Sequence, residues 1–146
     1  RRTLNTTGLL IDIGSTTTDL IPFAHGEPTA TGRTDLTRML AGELLYTGVR
    51  RTPLCQIARV VPMGGRLVPV AAEWFATSLD LYLWRGDLPE DSADHDTADG
   101  RPATRAAAHT RLAHMLCGDH VEIPESTIDT LVEFWAAAQA EQITTA

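Results

Sequence analysis

Lysine is absent from the 146 residues, so all 12 fixed positive charges are arginines, and any mechanism built on a lysine nucleophile or Schiff base is excluded. Cysteine is scarce. The two that occur, Cys55 and Cys117, stand far apart without a C-x-x-C or His-Cys spacing, which argues against a zinc centre or a disulfide framework. Both are expected to be small buried apolar residues. The five histidines form no ligand motif either. His109 and His114 are five apart on a predicted helix, off the i, i+4 spacing that would bring them to one face, so surface or packing roles are expected. No apolar run approaches the roughly 20 residues of a membrane span, and Arg1 to Gly8 lacks the apolar core of a signal peptide. A cytoplasmic protein with no membrane partner is therefore expected. The chain also lacks an initiator methionine and opens almost directly on a strand, which leads to the expectation of a fragment of a longer chain.

What is present predicts one globular domain. Hydrophobic residues make up 43% and charged residues 21%, enough apolar material for a core and too much for disorder. The formal charge of -7, with arginines scattered rather than clustered, argues against a nucleic-acid partner. The most informative stretch is Asp12-Ile-Gly-Ser-Thr-Thr-Thr-Asp19. Gly8 to Ile13 reads as a buried strand and Thr18 to Phe23 as its antiparallel partner, with Gly14 and Ser15 at the reversal. Backbone N–H groups at such a turn can converge on an anion, and the hydroxyls of Thr16, Thr17 and Thr18 can donate to phosphate oxygens. A carboxylate there would repel phosphate, so Asp12 makes most sense as a ligand of a divalent cation or its water shell. The same residues also suit an ordinary hairpin whose hydroxyls satisfy their own turn.

Downstream, the pattern predicts mixed α and β elements. Thr34 to Ala41 reads as a short helix capped by Thr34 and stopped at Gly42, and Glu43 to Tyr46 as a short extended piece. Leu54 to Val61 reads as a strand, reversed at Pro62 to Gly65 into Arg66 to Val70, which Pro69 marks as an edge. Ala71 to Arg85 is predicted as a largely buried helix ending at Gly86. Trp74 and Phe75 on it are expected in the core, with a base-stacking platform as the alternative. Residues 87–102 crowd six acidic residues with two prolines and one glycine and predict a solvated loop. Their spacing departs from that of a calcium-binding loop. Thr97 to Pro102 differs in kind, because Asp99, Gly100 and Arg101 side by side before a helix can fix a loop against a ligand. A helix over 103–116 carries Leu112, Met115 and Leu116. A last helix over 124–142 packs Ile128, Leu131, Val132, Trp135 and Ala136 on one face.

Four motifs in order carry a resemblance: Asp12 to Leu20, Gly42 to Val49 followed by Arg51-Thr-Pro53, Val70 to Thr77, and Thr97 to Pro102. Together they resemble the hydantoinase/oxoprolinase-type proteins linked to the tetrahydromethanopterin one-carbon pathway, over about residues 8 to 118. The archaeal branch of that family includes a synthase of methanofuran biosynthesis, which joins a furan-methylamine diphosphate to glutamyl-tyramine and releases pyrophosphate. The resemblance implies an α/β lobe of the actin-like, sugar-kinase and Hsp70 ATPase (ribonuclease H-like) architecture. This chain would be its second lobe and would lack the N-terminal partner lobe, whose own Asp-x-Gly-Gly loop has no counterpart here. Exposed apolar surface would then favour homo-oligomers.

Carried onto matching positions, the resemblance implies that Asp12 holds Mg²⁺ or its water, and that Gly14, Ser15, Thr16, Thr17 and Thr18 cradle a diphosphate. Asp19 would brace the hairpin or serve as a second acidic group. Glu43 and Asp99 become candidates for the base that activates the acceptor phenol, with Tyr46, Arg51 and Arg101 to orient the acceptor or neutralise phosphate. The ligand would be a phosphorylated small molecule, either ATP or a substrate diphosphate. Two other functions stay open: an ATP-dependent opener of cyclic amides, as the family's broader name implies, and a non-catalytic nucleotide-binding module.

Overall fold

The N-terminal hairpin pairs β1 (Thr7–Ile13) with β2 (Thr18–Ala24) in antiparallel register, Ile13 opposite Thr18 and Asp12 opposite Asp19. The computed structural model describes residues 6–146, so the segment from Arg1 to Asn5 and the reading of it above lie outside the described residues. β2 continues into β3 (Glu27–Pro28) and also pairs with β4 (Leu44–Leu45), completing a four-stranded sheet with β1 at its edge. Between β3 and β4 lies α1 (Asp35–Leu40), whose N-cap hydroxyl on Thr34 accepts the Thr37 N–H. The predicted cap and stop of this helix both hold.

β1 departs from expectation. Its nearly continuous apolar run predicts burial on both faces, yet Leu9, Leu10, Ile11 and Ile13 are all between 43% and 54% exposed. The reason is its edge position: among the described residues β1 packs chiefly on β2, and neither of its faces is covered.

The second half forms the core. α2 (Leu54–Ile57) replaces the first half of the strand predicted over 54–61, and only Val60–Met63 is extended, as β5, pairing with β6 (Arg66–Pro69). The override is tertiary. Leu54 and Ile57 both lie buried in the main cluster, and a helical turn directs them to one side. The helix predicted from Ala71 begins only at Ser78, giving α3 (Ser78–Arg85). The chain before it is pinned at its ends, Ala71 N–H donating to the Met115 carbonyl (2.8 Å) and the Ala76 carbonyl accepting from Leu54 N–H (3.1 Å). Trp74 and Phe75 therefore miss the core and lie exposed.

α4 (Arg105–His114) and α5 (Glu125–Thr144) close the domain, and α3 packs against both. Ile128, Leu131, Val132, Trp135 and Ala136 of α5 meet Leu54, Val61, Leu81, Trp84, Leu112 and Met115 in one cluster, as the helical spacing predicts. His109 takes a packing role, its Nε2 against the Ile123 carbonyl at 2.8 Å. The cysteines contradict expectation: Cys55 is half-buried and Cys117 exposed, the latter because it turns the chain after α4 with a positive φ of 57°. No described helix is long and apolar enough to cross a membrane.

Candidate functional site

The segment Thr47 to Thr52 is the pivot of the molecule. Three successive amides fasten it to the β1–β2 turn, Val49 N–H donating to the Gly14 carbonyl (3.0 Å) and those of Arg50 and Arg51 both to the Ser15 carbonyl (3.0 and 2.9 Å). Its carbonyls accept from the start of α3: Ser78 N–H reaches Thr52 (2.8 Å) and Leu79 N–H reaches Arg50 (3.2 Å). The first turn of α3 thereby satisfies orphan donors with backbone rather than with a ligand. From below, the side-chain amide nitrogen of Gln139 on α5 donates to the Thr47 hydroxyl (2.7 Å) and the Gly48 carbonyl (2.9 Å), while the Tyr82 hydroxyl donates to the Gln139 Oε1 at 2.8 Å. Buried polar groups paired this completely rigidify what they join.

Glycine at 48 is required by the closeness of the turn. A Cβ there would lie 2.5 Å from the Gly14 carbonyl oxygen and 2.7 Å from backbone atoms of Ser15 and Thr16. The turn itself is closed by Gly14 N–H donating to the Thr17 carbonyl (2.8 Å). Its inner side is filled by this docking, while Gly14 and Ser15 are exposed and Thr16 and Thr17 half-exposed on the outer side. Thr18 differs from its neighbours: it is fully buried, and its hydroxyl donates to the Thr47 carbonyl at 2.7 Å. That hydroxyl serves the fold and has no room for a phosphate.

Asp12 and Asp19 stand opposite each other across the hairpin, a repulsive pairing of like charges. Arg38 of α1 binds Asp19 at 2.6 Å, leaving Asp12 exposed and without an ion pair among the described residues. No group of three or more His, Cys, Asp or Glu side chains among the described residues could hold a metal ion unaided. A magnesium ion needs less than that, since it keeps several waters and takes one or two carboxylates plus substrate oxygens. Asp12 suits that limited role.

The two expected bases are engaged elsewhere. Glu43 is buried and accepts from the Thr31 N–H (2.6 Å), the Thr31 hydroxyl (3.0 Å) and the Gly32 N–H (2.9 Å). Those amide donors, the one on Thr31 foremost, hold its carboxyl below the ordinary value. Burial works against the ionisation of Asp99, but the Arg101 amide and the Arg111 and Arg101 guanidiniums outweigh it and bring its carboxyl down as well. Asp99 is held between Arg101 (2.7 Å) and the buried Arg111 (3.0 Å), while Arg101 keeps about half of its side chain exposed. A carboxylate stabilised in its charged form is a weak proton acceptor. Tyr46 remains exposed and available.

The side chains that do converge come from three of the four motif regions. Arg50, Arg51, Trp74, Thr77, Asp96, Thr97 and Ala98 line one recess of about 290 Å³, and the Arg50 and Arg51 amides join it to the fourth motif at Ser15. Asp94 and Asp96 of the acidic loop bind the arginines, Asp94 to Arg50 and Asp96 to Arg51 at 3.0 Å, so the loop is tied down rather than freely solvated. Arg51 was legible from its motif. Trp74, expected in the core with a base-stacking platform as the alternative, lies within a motif; Arg50, Thr77, Asp96 and Thr97 were not assigned to a site from sequence, and their position at or beside motif ends was the available signal.

Comparison with known proteins bears on the family alone. The family model of hydantoinase/oxoprolinase matches residues 1–145. Among curated proteins, the chain is 35% identical over 128 residues to the (4-{4-[2-(gamma-L-glutamylamino)ethyl]phenoxymethyl}furan-2-yl)methanamine synthase of Methanococcus vannielii, covering 87% of this chain and 57% of that protein. It is 35% identical over 126 residues to the synthase of the same name from Methanocaldococcus jannaschii, covering 86% of this chain and 37% of that protein. The chain thus spans about half, or less, of the length of these relatives. A match along almost its entire length makes this chain a member of the hydantoinase/oxoprolinase family.

Proposed function

We propose that this chain forms one wall of an active site that binds a phosphorylated, ring-bearing small molecule, in an actin-like, sugar-kinase-like architecture whose other wall comes from further protein. The reaction is that of the synthases it resembles. A phenol oxygen bonds to the methylene carbon of a furan-methylamine diphosphate, the phenol proton passes to water, and the carbon–oxygen bond to diphosphate breaks with release of pyrophosphate. The names of the relatives, which describe a phenoxymethyl-furan methanamine, support the product class.

The observation that carries the reading is the gathering of Arg50 and Arg51 in one recess, bonded through backbone to the exposed hydroxyl turn at Ser15. Arginine pairs a phosphate bidentately, and the developing charge on a departing diphosphate is what such donors stabilise. Asp12 would hold a magnesium ion on the turn's outer side, where that ion would supply charge neutralisation. Glu43, Asp99 and Arg101 position loops, and Thr18 anchors the turn.

Titration with inorganic pyrophosphate and magnesium, followed by amide and arginine Nε–H resonances, tests this. Shifts at Ser15 to Thr17 and at Arg50 and Arg51 are expected. Unmoved resonances at saturating pyrophosphate would overturn the reading. A response to ATP and not to pyrophosphate would move the assignment to an ATP-dependent opener of cyclic amides.

A further inference from the structure

Trp74 is the anomaly of the recess. It is 58% exposed, while Ala76 and Thr77, two and three residues later, are buried. The ends of its segment are pinned to Met115 and Leu54, and the Cys55 thiol lies 3.8 Å from the Glu73 carbonyl, so the indole stands on an anchored stretch of chain. Trp74 shares its recess with Arg50, Arg51, Thr77 and Thr97. A flat apolar face next to guanidinium donors matches a ligand that carries a flat ring and an anion together.

Asp94 holds Arg50 in a largely buried pair, but the carboxylate on Arg51 does not close the recess to such a ligand. Asp96 is 62% exposed and Arg51 58% exposed at their 3.0 Å contact. Exposed ion pairs of this kind add little to stability, so a phosphate, with more acceptor oxygens and more charge, can take the place of Asp96.

We infer that Trp74 is the platform on which the substrate's ring stacks, and that it selects ring-bearing phosphates over bare ones. This rests on the polyanion reading above and adds the specificity of the same site. Phenyl phosphate and inorganic phosphate are the probes, since they share an anion and differ by a ring. Trp84 and Trp135 are buried, so Trp74 dominates the emission that a soluble quencher can reach, and its protection by phenyl phosphate reports stacking directly. Calorimetry is expected to give phenyl phosphate roughly a tenfold advantage over inorganic phosphate, the scale of one aromatic stack.

Trp74→Ala should abolish that advantage while leaving inorganic phosphate binding intact, and Trp74→Phe should restore most of it. Arg51→Ala should weaken both probes alike. Because Trp74 is exposed, the variants should keep the native circular dichroism and melting temperature. Equal affinities for the two probes, or an advantage that survives Trp74→Ala, would overturn the inference and leave the polyanion reading standing. If neither phosphate nor pyrophosphate binds, both readings fall.

Discussion

Arg111 is the most consequential single charge in the fold. It is fully buried on α4, donating through Nε to Asp80 (2.7 Å) and through one Nη to Asp99 (3.0 Å), while its other Nη has no hydrogen-bond partner among the described residues. Asp80 is itself buried and accepts the Thr77 N–H at 3.0 Å, so the triad joins α3, α4 and the loop that borders the recess. Arg111→Met retains much of the side-chain volume and leaves Asp80 buried without its cation. Breaking a buried pair on one side costs about 3–5 kcal/mol. With a urea dependence of about 2 kcal/mol per molar, the unfolding midpoint should fall by roughly 1.5–2.5 M.

The pH dependence gives a second readout. Burial raises the Asp80 carboxyl above its ordinary 3.8, with Arg111 and the Thr77 amide offsetting part of the effect. A raised folded-state value means that the contribution to stability is complete below 3.8 and is lost as pH rises through the folded value. Removing Arg111 raises that value further, so the deficit of the variant relative to wild type should be largest near neutrality and shrink on acidification. Urea titrations of both proteins at neutral and acid pH measure it. A deficit under about 1 kcal/mol, the scale of an exposed pair, or one that does not narrow in acid, would refute the reasoning.

Gly48→Ala should destabilise by about 1–3 kcal/mol, the usual cost of overpacking, because the new methyl meets immovable backbone of the β1–β2 turn; loss of the Val49 to Arg51 amide protection in hydrogen exchange would locate the damage. Glu43 acts in the opposite sense to Asp80. Its lowered carboxyl contributes stability that is present above 4.5 and lost as pH falls through the folded value, so Glu43→Gln should flatten the acid limb of a melting-temperature profile.

The hairpin, the Thr34 cap and the core face of α5 are decided by short-range chemistry: a glycine where the chain reverses, a hydroxyl within reach of a free amide, apolar residues at helical spacing. These were legible in the sequence, as was the family, because its motifs are local strings. What the motifs do was not legible, since role depends on contacts between residues far apart in the chain. Thr17 and Thr18 are adjacent and chemically identical, yet one is half-exposed at the turn and the other is sealed against Thr47. Glu43 and Asp99 carry the chemistry of a base and are held in their charged form by loops they support. Trp74 has the composition of a core residue and lies outside the core because anchors at Met115 and Leu54 stop α3 from starting early. Local sequence determined the hairpin, the helix caps, the core face of α5 and the family, whereas tertiary packing decided where α2 and α3 form, which polar side chains are consumed by the fold and which face the recess, because a donor or acceptor already satisfied inside the protein has nothing left for a ligand.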